Sequence, residues 1–164
     1  MGKLFGTDGI RGIANEYPIT PEMAVNIGRT IAEFFRKNDK PSKIVIGKDT
    51  RISGQMIECA LVSGICSMGA DAYLAGIIPT PGVAFITSST GANAGIMISA
   101  SHNPYYDNGI KIFNGDGYKL SDEKEAEIEQ LVLNVNIALL AKSDRGVGSV
   151  FKMADAIGRY GNFL

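Results

Sequence analysis

The stretch from Ala94 to Phe113, AGIMISASHNPYYDNGIKIF, decides the fold. Its apolar start, Gly95 to Ile98, has the length and the branched side chains of a buried strand. Pro104 holds Asn103 out of the helical region, so a loop follows the strand. The apolar pattern resumes at Gly109 to Phe113, after a segment too short for a helical crossover. The second run is therefore predicted to lie antiparallel to the first.

Helical and strand patterns alternate along the rest of the chain. Two apolar runs predict strands, and a short third strand is predicted near the start: Lys43 to Gly47, Asp71 to Ile77, and Lys3 to Phe5. Apolar spacing and cap residues predict helices from Pro21 to about Asn38, Gln55 to Met68, from Thr80, and from Ser121 or Asp122. This order predicts an α/β protein, a three-layer α/β/α sandwich with a mixed, mainly parallel sheet and one antiparallel strand.

The end of the chain is expected to lead into a second domain. Val135 to Val150 has weak periodicity and is interpreted as a connector, whereas Ala154 to Leu164 begins an amphipathic helix in which the chain stops. We therefore expect residues 1–150 to form one domain and residues 151–164 to be a linker with the truncated start of the next. The apolar stripe of this helix is expected to fold back on its own domain or to pair with another copy as a homodimer.

Composition describes an ordinary globular protein. The chain has 164 residues, of which 45% are hydrophobic and 20% charged, and its net charge is -1. This balance argues against nucleic acid or an anionic membrane as a partner. No apolar run approaches the length of a membrane span, and Met1 to Phe5 lacks the apolar segment of a signal peptide. We expect a cytoplasmic protein.

Candidate chemistry lies in the loop after the central strand. Ser101 stands beside His102, the only histidine, and Lys111 follows in the next strand. Ligands of open α/β sheets bind at the carboxyl ends of strands, where this loop is predicted. The same residues also fit an ordinary turn, in which Ser99 or Ser101 bonds to nearby backbone.

Two glycine-containing loops carry cations. Gly6 to Gly12 has glycine at every third position and includes Arg11, whose planar guanidinium suits phosphate oxygens. Lys48 and Arg51 precede a predicted helix start, an arrangement that favours anions. Solvated loops explain both patterns as well, and neither matches a known nucleotide-binding motif.

Four stretches together resemble the first domain of the α-phosphohexomutases. They are FGTDGIRG (residues 5–12), GKDTRISG (residues 47–54), PTPGVAF (residues 79–85) and MISASHNPYYDNGIKIF (residues 97–113). Asp8 in the first stretch and the long last stretch resemble the bacterial branch of the family that acts on glucosamine phosphates. Residues 116–129 strengthen this likeness, and residues 155–160 resemble the family's lead into its second domain.

The resemblance implies an enzyme of four domains that interconverts glucosamine 6-phosphate and glucosamine 1-phosphate. It implies that Ser101 carries a phosphoryl group, which passes to the sugar to form glucosamine 1,6-bisphosphate. In the family the reaction uses Mg²⁺, bound by the phosphoserine and by an Asp-Gly-Asp-Gly-Asp loop. This chain has no such loop, so Ser101, through its phosphate, is the one expected metal ligand here.

The remaining site residues are carried over by their positions in the motifs. Lys111 and Arg11 match the proton carrier and the charge clamp near the phosphate, while His102 and Asn103 frame the serine. For His102, proton transfer and orientation of the loop both stay open. The cations of the second basic loop, expected to face the same cleft and to bind phosphate, are Lys48 and Arg51.

Two other function classes fit parts of the sequence. A serine hydrolase is disfavoured because the GxSxG elbow is absent and His102 has no evident acidic partner. A phosphate-binding module without turnover would keep the basic loops. The isolated chain is itself expected to be inactive, because it lacks the metal loop and the other domains.

Overall fold

The computed structural model of the chain describes residues 3–38, 40–141, 144 and 146–164. Its helices are Pro21–Phe34 (α1), Gly54–Ser67 (α2), Thr80–Ser89 (α3), Asp122–Asn134 (α4) and Ala156–Phe163 (α5). Its strands are Ile10–Ile13 (β1), Lys43–Lys48 (β2), Asp71–Ile77 (β3), Ala94–Ile98 (β4), Asp107–Asn114 (β5) and Val150–Lys152 (β6). A short 3₁₀ helix covers Ile137–Leu140. No described helix is long and apolar enough to cross a membrane.

The strands form one mixed sheet in the order β1-β5-β4-β2-β3-β6. β2 is parallel to β3 and β4, and β3 is parallel to β6. β5 is antiparallel to both of its neighbours, with Ile110 opposite Ile98 of β4 and opposite Ile10 of β1. The prediction that one strand runs against the others is confirmed.

Helices cover both faces of the sheet. Alternating side chains of β2 show the division, because Ile44 and Ile46 belong to the core shared with α1, α2 and α4, whereas Val45 belongs to the core shared with α3 and α5. All three side chains are buried. The three-layer α/β/α sandwich predicted from the sequence is therefore confirmed.

Glycines let α1 and α2 pack closely. A Cβ atom on Gly28 would lie 2.5 Å from the carbonyl oxygen of Leu61, and one on Gly64 would overlap the carbonyl oxygen of Val25. α1 begins as predicted, with Thr20 Oγ1 accepting the N–H of Met23 at 3.2 Å. The close approach packs α1 tightly against α2, the helix that follows the second basic loop.

Two local predictions are wrong. Lys3 to Phe5 is not a strand, because its N–H groups are taken by a helix instead of a strand: Glu129 Oε2 accepts from Leu4 at 2.8 Å and from Phe5 at 3.0 Å. Thr80 does not cap α3, whose N-cap is Pro79. The sequence also gives no sign of β6, which follows the connector, because three exposed residues at the edge of the sheet show no alternation.

The last helix lies on its own domain. The ring of Phe163 in α5 stacks on Phe85 of α3 with centroids 4.3 Å apart, although Phe163 remains 63% exposed. Through β6 and α5 the segment after residue 150 shares the sheet and one core of the preceding residues. The boundary between residues 1–150 and 151–164 and the homodimer stay predictions.

Candidate functional site

Ser101 lies in a strained and exposed position just beyond the carboxyl end of β4. Its φ of +56° places it in the left-handed region, which residues other than glycine seldom adopt. The backbone N–H of Ser101 donates to Ser99 Oγ at 3.0 Å, and Asn103 N–H donates to the carbonyl of Ala100 at 3.0 Å. These contacts turn the chain so that Ser101 faces solvent at the carboxyl end of the central strands.

The two serines of the motif differ in accessibility. Ser99 is only 4% exposed, and its hydroxyl oxygen is engaged by the N–H of Ser101. Ser101 is exposed. Ser99 therefore contributes to the turn, whereas Ser101 is exposed to solvent; a functional role for Ser101 stays a prediction. Strand alternation alone does not make this distinction.

Arg51 ties the second basic loop to the Ser101 loop. Its side chain is 9% exposed, and its Nε donates to Asp49 Oδ2 at 3.1 Å. Each of its terminal nitrogens donates to two backbone carbonyls of the Ser101 loop: Nη1 to Pro104 (2.5 Å) and Asp107 (3.1 Å), and Nη2 to Ser101 (2.9 Å) and Asn103 (2.9 Å). All five N–H donors of the guanidinium therefore have acceptors.

A second side chain joins the same two loops. Asn108 is fully buried, and its Nδ2 donates to Ser53 Oγ at 2.8 Å while its Oδ1 accepts the N–H of Gly109 at 2.8 Å. Ser53 is the N-cap residue of α2, but its hydroxyl makes no cap hydrogen bond. Ser53 instead fixes the start of α2 to the start of β5.

Arg11 reaches the Ser101 loop from β1. Its Nη1 donates to Asn103 Oδ1 at 3.4 Å, and its Nη2 lies 3.6 Å from Asp8 Oδ2. Its Nε is buried without a hydrogen-bond partner among the described residues. Asn103 in turn donates to Asp107 Oδ2 at 3.1 Å. The guanidinium of Arg11 thus reaches the loop that carries Ser101, and a planar guanidinium suits a ligand with several anionic oxygens.

Lys111 lies on the same face of the sheet as Arg11. In the register of β1 and β5, Ile10 opposes Ile110, so the next residue of each strand points to the opposite face. Burial lowers the pKa of the Lys111 ammonium from its usual 10.5, and the nearby Arg11 lowers it further, against weaker effects of Asp8 and Asp49. A lowered pKa increases the fraction of neutral lysine, which is the form that can accept a proton.

Lys48 is placed apart from the other cations. Its Nζ forms an ion pair of 2.5 Å with Glu58 Oε1 of α2, and both side chains are largely buried. The two residues line a cavity of about 580 Å³ that also contacts Lys152 and Met153, not the Ser101 loop. Lys48 thus shares the sheet edge with Ser101, but its ammonium is directed to Glu58.

The Ser101 loop and the second basic loop enclose one open cavity. It has a volume of about 590 Å³ and is lined by Asp49, Thr50, Arg51, Ile52, Ser101, Asn103 and Tyr105. His102 is exposed next to it. The cavity combines the exposed Ser101, the amide of Asn103 and one cation, Arg51, and a hydroxyl in such a setting can accept a phosphoryl group.

The described residues do not by themselves fit a complete Mg²⁺ site. Residues 3–38, 40–141, 144 and 146–164 contain no group of three or more His, Cys, Asp or Glu side chains that could hold a metal ion. A phosphate on Ser101 supplies one oxygen ligand, whereas Mg²⁺ takes six ligands in an octahedron.

Sequence reasoning missed the residues that support this site. Three partners were missed: Glu58 pairs with Lys48, Asp49 with Arg51, and Asn108 with Ser53. The residues of each pair are either distant in sequence or lie within one loop that has no regular pattern. The spacing of Asp49 and Arg51 is the one available signal, because aspartate commonly accepts the N–H two residues on, as it does here at 3.1 Å.

Known proteins match this arrangement. The family described as "Phosphoglucomutase/phosphomannomutase, alpha/beta/alpha domain I" matches residues 2–137. The chain belongs to this family. Its domain I contains every site residue considered above, from Arg11 to Lys111. The resemblance found in the sequence is confirmed.

Relatives of high identity carry one functional name. Proteins named phosphoglucosamine mutase are 61% identical over 164 residues in Syntrophus aciditrophicus (strain SB) and 59% identical over 163 residues in Syntrophotalea carbinolica (strain DSM 2380 / NBRC 103641 / GraBd1). They cover 100% and 99% of this chain, and the chain spans 36% of each of them.

A solved structure of the family has the same fold. The phosphoglucomutase/phosphomannomutase family protein of Burkholderia thailandensis matches with a TM-score of 0.79 and 25% identity, over 96% of this chain and 34% of that one.

Proposed function

We propose that this chain is the phosphoserine domain of a phosphoglucosamine mutase, an isomerase that interconverts glucosamine 6-phosphate and glucosamine 1-phosphate. The observation that carries the proposal is Ser101, an exposed serine held in a left-handed conformation at the sheet edge of a family domain I. Relatives at about 60% identity that carry this name support the choice of sugar.

The proposed reaction moves one phosphoryl group between Ser101 and the sugar. The bond from phosphorus to Ser101 Oγ breaks as a bond forms to a sugar hydroxyl oxygen, and the product is glucosamine 1,6-bisphosphate. The bisphosphate turns round, and its other phosphoryl group returns to Ser101 Oγ. Serine suits both directions because its oxygen serves as leaving group and as nucleophile.

We assign the proton and charge roles to the residues around the loop. Lys111, with its lowered pKa, accepts the proton of the attacking sugar hydroxyl and returns it in the reverse step. Arg11, through its terminal nitrogens, holds the phosphate oxygens. Asn103 and His102 border the phosphate. Proton transfer and loop orientation are the two roles still open for His102.

The second basic loop contributes in a different way. Because the donors of Arg51 are occupied by the protein, its part in phosphate binding is the field of its fixed charge. Lys48 lies on the neighbouring strand, β2. Because Glu58 balances its charge, Lys48 contributes less to phosphate binding. In the complete protein a phosphate on Ser101 would supply one ligand to Mg²⁺, the expected cofactor, whose other ligands would come from outside this chain.

We further propose that residues 1–150 constitute this domain, that residues 151–164 lead into the next, and that the chain alone turns over no substrate. The expected setting is the cytoplasm, with a small phosphosugar as the ligand and neither nucleic acid nor membrane as a partner. The net charge of -1 fits this setting.

The test is to locate the phosphate. The complete protein is incubated with glucosamine 1,6-bisphosphate, and the peptide that spans Ser99 and Ser101 is analysed by tandem mass spectrometry. We expect phosphate on Ser101, its loss in Ser101→Ala, and its retention in the matched control Ser99→Ala. Phosphate on Ser99, or mutase activity in Ser101→Ala, would show that the proposal is wrong.

A further inference from the structure

We propose that Arg51 is a positioning residue that sets the conformation of the nucleophilic loop, and that it does not bind the phosphate directly. The proposal rests on the function proposed for Ser101 and assigns the preorganisation of that site to one side chain. A phosphate-binding arginine needs N–H donors directed to the ligand. The five donors of Arg51 are directed to Asp49 and to the backbone of the loop.

The acceptors of Arg51 explain why the loop keeps an unfavourable shape. Two of them, the carbonyls of Ser101 and Asn103, flank His102 and share one terminal nitrogen at 2.9 Å each. Holding the Ser101 carbonyl at this nitrogen fixes the peptide unit that directly follows the residue with the φ of +56°. A left-handed serine persists only where its surroundings hold it there.

Arg51 is itself held in place. Asp49 accepts from both the Nε and the backbone N–H of Arg51, each at 3.1 Å. The side chain is 9% exposed, so water does not compete strongly for the guanidinium. The loop that carries Arg51 is also fixed to β5 by the hydrogen bond from Asn108 to Ser53. These contacts hold the Ser101 loop in a fixed position relative to β5 and the start of α2.

Lysine at this position tests geometry apart from charge. In Arg51→Lys the positive charge stays, but a single ammonium with three donors replaces a fork of five and cannot reach acceptors spread from Ser101 to Asp107. Arg36→Lys is the matched control. Arg36 also donates to a carboxylate, Glu33 at 3.1 Å, and to a carbonyl, Met68 at 2.6 Å, but on α1 and the turn after α2.

Kinetics of the complete protein give the first readout. We expect Arg51→Lys to lower kcat at least tenfold with KM changed less than threefold, because the nucleophile is misplaced while phosphate contacts persist. Arg36→Lys should leave both constants near normal. A raised KM with unchanged kcat would mean that Arg51 binds substrate, and unchanged constants would mean that it has no role; either result overturns the proposal.

Amide hydrogen exchange gives a readout that does not depend on activity. Three N–H groups report on the loop, those of Ser101, Asn103 and Asp107, which bond to Ser99 Oγ and to the carbonyls of Ala100 and Pro104. They should exchange at least tenfold faster in Arg51→Lys and at the normal rate in Arg36→Lys. Unchanged exchange in Arg51→Lys would overturn the proposal.

The design separates this inference from the function on which it rests. A wild-type protein without mutase activity refutes the proposed function, while the exchange rates still decide whether Arg51 positions the loop. If Arg51→Lys does not fold, Asp49→Asn replaces it, because this variant keeps Arg51 and weakens only the contact to Nε. It should accelerate the same three amides by a smaller factor, and normal exchange rates in it overturn the proposal.

Discussion

Replacing Lys48 by methionine removes one partner of the most buried ion pair among the described residues. Lys48 Nζ and Glu58 Oε1 are 2.5 Å apart, and their side chains are only 18% and 9% exposed. The second carboxylate oxygen, Glu58 Oε2, is buried and has no hydrogen-bond partner among the described residues. In Lys48→Met the charge of Glu58 therefore stays inside the protein with nothing to balance it.

The expected loss follows from this burial. Breaking a buried pair by removing one partner costs about 3–5 kcal/mol in free energy of unfolding, whereas replacing both partners by apolar side chains is roughly neutral or stabilising. We therefore expect Lys48→Met to lose about 3 kcal/mol or more. The double variant Lys48→Met/Glu58→Leu should recover most of that loss.

An exposed pair supplies the matched control. Arg159 Nε lies 2.6 Å from Asp155 Oδ2, nearly the same distance, but the two side chains are 51% and 61% exposed. Arg159→Met should cost only about 0–1 kcal/mol. Urea unfolding at neutral pH, followed by circular dichroism, measures all four proteins. If Lys48→Met loses no more than Arg159→Met, or if the double variant is no better than the single one, our account of this ion pair is wrong.

Three further predictions concern other parts of the domain. In the complete protein Lys111→Ala should lower kcat at least a hundredfold. It should shift the melting temperature little, since the side chain lies outside both hydrophobic cores. A large loss of stability with normal activity would mean that Lys111 has a structural role instead. Because the folded protein lowers the pKa of Lys111, folding disfavours its charge, so stability due to this group rises with pH between the lowered pKa and 10.5. Lys111→Met should accordingly be more stable than wild type at pH 7, and thermal melts should show this gain shrinking towards pH 10. Gly64→Ala should cost about 1–3 kcal/mol in urea unfolding, because its methyl group would meet the backbone of α1 at Val25; a neutral effect would show that α1 and α2 separate easily.

The fold could be predicted where apolar periodicity is strong. The strand at Asp71–Ile77 has the predicted bounds, and the antiparallel direction of β5 followed from the shortness of the preceding loop. β6 could not be predicted, because an edge strand of three exposed residues has no alternation to detect. β1 was misplaced for a related reason: its pattern, Ile-Arg-Gly-Ile, is hidden among glycines, and its pairing partner is β5.

The candidate site was predicted in its residue types but not in its contacts. The sequence indicated Ser101, Arg11 and Lys111, and the structure places them at one end of the sheet. It also directs Arg51 and Lys48 to protein partners, which composition and spacing do not reveal. Partner choice depends on how loops from different strands meet, and this is a tertiary property.

The pairing of β1 with β5 has a consequence for the order in which the domain assembles. It joins Ile10 to Ile110 and Arg11 to Gly109. Closing a loop of about 100 residues costs about 2 kcal/mol more than closing one of about 10. During translation β2, β3 and β4 can pair with one another before β5 has left the ribosome, whereas β1 cannot pair until β5 is available. We expect Arg11, although it is synthesised well before β5, to be among the last of these residues to reach its place beside Asn103.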